Sequence, residues 1–198
     1  WVPGTPSVMS TGSFSLNLSY GIDVEGTVYV IVYSGNNTAL LTSSYVRSQA
    51  ILRTDRGIIE TATLSVNKSN LNRILNAVLN VPDPDQVYTI YVVAANRKNV
   101  LQAMPVRLNA TTLPCPQANA GDGGNECDLN FVLNAVSLIG NGTWTRVSGP
   151  GNAIFSPNAS TPTATVTVSL YGTYVFRWTE TRESCTSFDE ITVNFYRQ

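Results

Sequence analysis

Short segments that alternate apolar and polar residues with a period of two recur along the chain, separated by Gly, Asn, Asp and Pro turns. Such alternation puts one set of side chains on each face of a strand. Residues 13–20 place Phe14, Leu16 and Leu18 on one face. Residues 26–33 place Val28, Val30 and Val32 on one face and Tyr29, Ile31 and Tyr33 on the other. Residues 86–94 are again apolar on both faces, as a central strand should be. Two stretches depart from the pattern. Residues 43–52 read as a short helix with a Ser cap. Residues 70–81 satisfy both periods: Leu71, Ile74, Leu75, Val78 and Leu79 have helical spacing, whereas Leu75, Ala77, Leu79 and Val81 alternate. Asn72, Asn76 and Asn80 disfavour a strand, but the neighbouring strands leave a place for one, and a strand is the expectation. The whole pattern predicts an all-β chain.

Residues 142–193 carry the landmarks of a β-sandwich in order. Trp144 falls on an early strand, residues 164–168 alternate, Tyr174 follows a tight corner, and Phe176, Trp178 and the strand at 191–193 close the set. Immunoglobulin-like sandwiches are built with these landmarks. Upstream, Pro114 and Pro116 follow a strand at residues 106–108; each fixes its own φ and restricts the residue before it, so a short, stiff junction is expected. A length of 198 residues accommodates two domains. The predicted architecture is two tandem immunoglobulin-like or fibronectin type III-like β-sandwiches, at residues 1–113 and 118–198, joined by a Pro-rich linker at 114–117.

Composition narrows the function. Charged residues make up 13% of the chain, so Asn, Ser, Thr and Gly must supply most of the solubility. The formal charge is −1 and the basic residues are scattered, leaving no patch to neutralise phosphates; neither nucleic acid nor an anionic membrane surface is an expected partner. No apolar run approaches the ~20 residues of a membrane span. No basic n-region followed by an apolar stretch opens the sequence, so no signal peptide is visible, and the chain reads as processed or as a piece of something longer.

The absence of histidine removes the Ser-His and Cys-His nucleophile arrangements and the commonest zinc ligand. The carboxylate pairs Asp83/Asp85 and Asp189/Glu190 lie in a Pro-rich turn and at a strand start, where turn chemistry accounts for them. Asp122, Glu126 and Asp128 crowd one loop, and oxygen ligands suit calcium, but no repeated Asp-x-Asp-x-Asp spacing is present; a solvated polar loop is the better reading. Trp144, Tyr174, Phe176 and Trp178 are expected in the core. Tyr20, Tyr29, Tyr33 and Tyr171 are less constrained and are candidates for the surface, although cross-strand packing accounts better for Tyr29 and Tyr33. Six Asn-x-Ser/Thr triplets begin at Asn17, Asn36, Asn67, Asn109, Asn141 and Asn158 and are read as chance in an Asn- and Thr-rich chain. No catalytic residue, cofactor or metal ligand is expected. Of the three cysteines, Cys127 precedes a strand at 131–136 and Cys185 lies in the turn after the Trp178 strand. A Cys127–Cys185 disulfide stapling one end of the second domain is expected, leaving Cys115 free at the junction; three reduced thiols are the alternative.

The second half resembles the PKD-like immunoglobulin-type domains of long Bacteroidota surface proteins. The resemblance rests on residues 118–121, Cys127, Leu133-Asn134-Ala135, the 144–151 run, residues 164–168, Gly172-Thr173-Tyr174, residues 176–180 and Cys185. The loop at 122–126 departs from the Pro-Asp-Gln type of turn usual there. The first half is similar to a fibronectin type III-like domain, through residues 4–8, 26–29, 88–94 and 99–102, with Tyr88 as corner tyrosine and a middle, residues 40–75, longer than such domains require. The resemblance implies a gliding-adhesin-like protein exported by type IX secretion to the cell surface. It implies a non-catalytic structural or adhesive segment whose partners are neighbouring sandwich domains and surface glycans or other cell-surface proteins. A carbohydrate-binding accessory module of a secreted hydrolase is the second reading.

Overall fold

The computed structural model describes residues 1–10, 12–137 and 139–197. The chain divides into two compact units, Trp1–Pro114 and Cys115–Gln198. Each is a β-sandwich, and among the described residues one α-helix and one 3-10 turn accompany the strands.

The first unit contains β1 (Ser7–Ser10), β2 (Ser15–Tyr20), β3 (Gly26–Ser34), β4 (Ile58–Val66), β5 (Leu75–Asn80), β6 (Val87–Asn96) and β7 (Val106–Thr111). A three-stranded sheet in the order β1-β2-β5 faces a four-stranded sheet in the order β4-β3-β6-β7. The alternation sets what meets between them: Leu16, Leu18 and Leu79 from one sheet pack against Val28, Val30, Val32 and Ile90 from the other. Within the ambiguous stretch Leu75–Asn80 is a strand, as expected, because β2 lacks a second neighbour without it, while residues 71–74 are not; Leu16 pairs with Leu79 and Leu18 with Ala77. Tyr88 is the corner tyrosine: its hydroxyl donates to Asp83 O (3.1 Å) and accepts from Asp83 N (2.9 Å), with the ring fully buried.

The long middle of this unit is explained by α1 (Ser43–Leu52), inserted between β3 and β4. Its cap is Thr42 rather than a serine; the Thr42 hydroxyl accepts from Tyr45 N at 3.2 Å. Ser43, Val46, Gln49 and Ala50 form its buried face, at helical spacing. A helix of 10 residues is marginal alone, so packing must hold it. It lies on the face of the four-stranded sheet that points away from the sandwich core, covering Tyr29, Ile31, Tyr33, Tyr91 and Val93. This is why β3 and β6 are apolar on both faces. Tyr29 and Tyr33, at 6% and 8% exposure, pack there as cross-strand contacts would have them, and Tyr20 is also buried rather than exposed.

The second unit contains β8 (Gly124–Glu126), β9 (Asn130–Val132), β10 (Asn141–Ser148), β11 (Ala153–Ser156), β12 (Thr165–Val168), β13 (Gly172–Arg182) and β14 (Cys185–Phe195). Its sheets run β10-β13-β14-β8 and β11-β12-β9, with β8 parallel to β14. The expected strand at 131–136 is shorter, ending at Val132, with only a bridge from Asn119 to Val136 beyond it. Trp144 and Trp178 are direct cross-strand partners with ring centroids 5.2 Å apart, and Tyr174 and Phe176 fill the same core. Each of these indole N–H groups has an acceptor: Pro162 O for Trp144 and the buried Glu180 Oε1 for Trp178, both at 3.0 Å. A second corner tyrosine, Tyr174, donates to Leu170 O at 2.8 Å. Gly142 lies over the Trp178 ring, where a Cβ would come within 1.8 Å of a ring carbon.

The disulfide joins Cys115 to Cys185, not Cys127 to Cys185. Cys127 is an exposed free thiol. The physical reason is the register of β14. Phe195 pairs with Glu126, so Cys127 follows the far end of that strand. Ten residues of strand separate that end from Cys185, roughly 33 Å, whereas a disulfide tolerates a Cα separation of at most ~7 Å. Cys115 has its Cα 5.5 Å from that of Cys185. The segment after it stays beside β14, with Ala118 N donating to Ser187 Oγ (2.8 Å) and Ala120 N to Asp189 Oδ2 (2.9 Å).

Candidate functional site

Three loops of the first unit meet at one end of its sandwich. Gly26 pairs with both Val66 and Asn96, and Tyr20 pairs with Leu75, so the loops 21–25, 67–74 and 97–105 emerge together. The chain start joins them, with Val2 N donating to Gly21 O at 2.9 Å. Asn96 organises the longest loop: its Oδ1 accepts from Lys98 N (2.9 Å) and Val100 N (3.0 Å), and Asn99 takes the left-handed conformation that completes the turn. Gln102 clamps the loop base, its Oε1 accepting from Ala94 N at 3.1 Å.

The loops enclose a pocket of about 260 Å³ between Trp1, Ile22, Val24, Ala94, Val100 and Leu101, with Asp23, Asn96 and Gln102 adding polar groups. It adjoins a wider recess of about 570 Å³ rimmed by Asp23, Glu25, Lys68, Arg97 and Lys98. Trp1 is half-buried, while Val24 and Val100 are exposed. Arg97 and Glu25 form an ion pair at 2.7 Å that the exposed arginine makes energetically small. An apolar floor with few convergent polar groups on well-tied loops suits holding a ligand. Its ionisable groups lie on the rim.

The acidic residues weighed in the sequence lie away from this pocket, and Asp189, Glu190, Glu126 and Asp128 have partners for their carboxylates. Asp83 contributes its backbone to Tyr88 and to Thr112, whose hydroxyl donates to Asp83 O at 2.9 Å, and Asp85 occupies a left-handed turn position. Asp189 accepts from Ala120 N and Glu190 N, and Glu190 pairs with Arg177 at 2.6 Å. Glu126 and Asp128 accept from Cys127 N and Asn130 N, and among the described residues no group of three or more possible ligands is placed to hold a metal ion. Tyr171 is exposed.

A second polar cluster, unforeseen in the sequence, joins α1 to β3. Tyr33 and Tyr45 both donate to Asp55 Oδ2, at 2.8 and 2.7 Å, and Gly57 N donates to Asp55 Oδ1 at 2.8 Å. Each hydroxyl has one proton and commits it to Asp55, so the 3.4 Å Tyr33–Tyr45 approach is a contact rather than a third bond. Donation from Tyr45, then from Gly57 N and Tyr33, holds the Asp55 carboxyl below its ordinary pKa. Burial, with the Tyr45 and Asp55 contacts, pushes the Tyr33 hydroxyl well above the usual tyrosine value. The cluster is a latch for the helix.

No family model matches the chain, and no curated protein does. Among solved structures, a chimeric titin Z1Z2 carrying an exogenous KLER peptide from decorin is 10% identical, with 98% of this chain and 95% of that chain covered and a TM-score of 0.35. Human CDH23 EC21-23 is 13% identical over 97% of this chain and 67% of that chain, with a TM-score of 0.34. The chicken CNTN1 FN1-FN3 domains are 10% identical over 96% and 66%, with a TM-score of 0.32. The sheet orders and cores described above define the fold. Among the described residues no helix is long and apolar enough to cross a membrane.

Proposed function

We propose that the chain is a non-catalytic structural and adhesive segment of a long extracellular bacterial surface protein, extending it, presenting other modules or packing into a surface assembly. In this reading residues 1–113 are a fibronectin type III-like domain and residues 118–198 a PKD-like domain. Export is by type IX secretion in a gliding-adhesin-like context, with neighbouring sandwiches and surface glycans or cell-surface proteins as partners. The carrying observation is that carboxylates serve the scaffold: Asp55 latches the helix, Asp189 pins the segment before β8, and Glu190 pairs with Arg177. The disulfide fits an oxidising compartment. Antibodies against the chain should label intact, unpermeabilised cells of the source organism; labelling only after permeabilisation overturns the reading.

The Trp1-lined pocket favours one alternative, a carbohydrate-binding accessory module of a secreted hydrolase. Pull-down on insoluble polysaccharides separates the two. Saturable binding that is lost in Trp1→Ala would replace the structural reading.

A further inference from the structure

The Cys115–Cys185 bond joins the first residue of the second unit to the first residue of its last strand. This gives tension applied between residues 115 and 196 two covalent routes. One runs through the chain and the other crosses the disulfide and follows β14. The chain route is longer by the whole stretch between the two cysteines, a sequence separation of 70. The β14 route is already extended, because a strand rises ~3.3 Å per residue and a fully stretched chain at most ~3.6 Å.

We propose that the second unit is a covalently short-circuited strut, in which tension crosses the disulfide and travels along β14 while residues 116–184 stay outside the path. Unfolding the sandwich then lengthens the molecule by only a few ångströms, since the strand has so little slack. Without the bond, the same event would release about 250 Å more, the reach of the bypassed stretch across a sequence separation of 70. The strand that carries the tension is held along its whole length, paired with β13 from Cys185 to Phe195 and with β8 over its last three residues. The usefulness of such a strut rests on the surface-segment reading; its mechanics do not.

The test is single-molecule stretching of the full chain between handles at its two ends, on protein whose alkylated mass shows one free thiol. Oxidised protein should give one full-length unfolding step, from the first unit. A dithiol reductant added while the molecule is held stretched should then release a further length of about 250 Å, the bypassed residues. Cys127→Ser should behave as the parent chain. Two full-length steps before reduction, no added length after it, or three free thiols at the outset would each overturn the proposal. Failure of the cell-surface labelling, with this stepping pattern intact, would remove the biological setting and leave the strut standing.

Discussion

Ile31→Ala tests the two-sided burial of β3. Ile31 is fully buried, yet it points away from the sandwich core and its cover comes from α1. Truncation removes three carbons, which at ~0.8 kcal/mol per buried methylene is about 2.4 kcal/mol of transfer free energy. A residual cavity adds to this and brings the loss to about 3 kcal/mol, inside the 2–5 kcal/mol range for such changes. Hydrogen–deuterium exchange read by mass spectrometry reports the two units separately. Peptides from β3 and β6 should exchange on the order of 100-fold faster, because ~1.4 kcal/mol corresponds to tenfold. Peptides from β13 and β14 should be unchanged, since they belong to the other unit. If β3 and β6 accelerate by less than tenfold, the outer face is not a second core and α1 is only resting on it.

Asp55→Asn should weaken the first unit at neutral pH, with the deficit shrinking as the pH falls below ~4. The sign follows from the lowered pKa of Asp55: the stabilisation is present above the ordinary carboxylate value and lost as the pH falls through the depressed one. Urea midpoints at pH 7 and pH 3 read this, and an equal deficit at both would contradict it. Tyr88→Phe deletes the hydroxyl that both donates to and accepts from Asp83, and should cost about 1 kcal/mol in urea unfolding of the first unit; no loss would show the corner to be closed by packing alone. Alkylation of the native protein should modify Cys127 only. Cys185→Ser should cost the second unit up to about 4 kcal/mol, by the loop-entropy relation for a separation of 70 residues. The Trp144 and Trp178 fluorescence follows that transition, and an equal cost in Cys127→Ser would sink the pairing.

Much of the fold is legible in the residue pattern because strand alternation is local. Leu16, Leu18, Val28, Val30 and Val32 announce the inner face, and Trp144, Tyr174, Phe176 and Trp178 announce the second core. Tyr88 is expected as a corner tyrosine from the resemblance of the first half to a fibronectin type III-like domain, and its bonds to Asp83 place it there. Residues 70–81 were balanced between two periods, and what tipped them was the vacant edge of β2, a tertiary fact.

The candidate site was not legible. Its wall combines Trp1, Ile22 and Val100, which no periodicity connects, and only the sheet registers bring their loops to one end. The Tyr33–Tyr45–Asp55 latch likewise joins three elements. The one faint signal was Tyr29, Ile31 and Tyr33, an outer face too apolar to be left to water. The cysteines mark the same boundary. Sequence alone established that one bond and one free thiol were to be expected of three cysteines in such a sandwich. Which two would meet depended on the direction and length of β14, which carries Cys185 to one end of the second unit and Cys127 to the other. Local alternation determined the strands and their buried faces. Registers between distant strands decided which side chains became neighbours, because separation along the chain does not encode distance across a folded sheet.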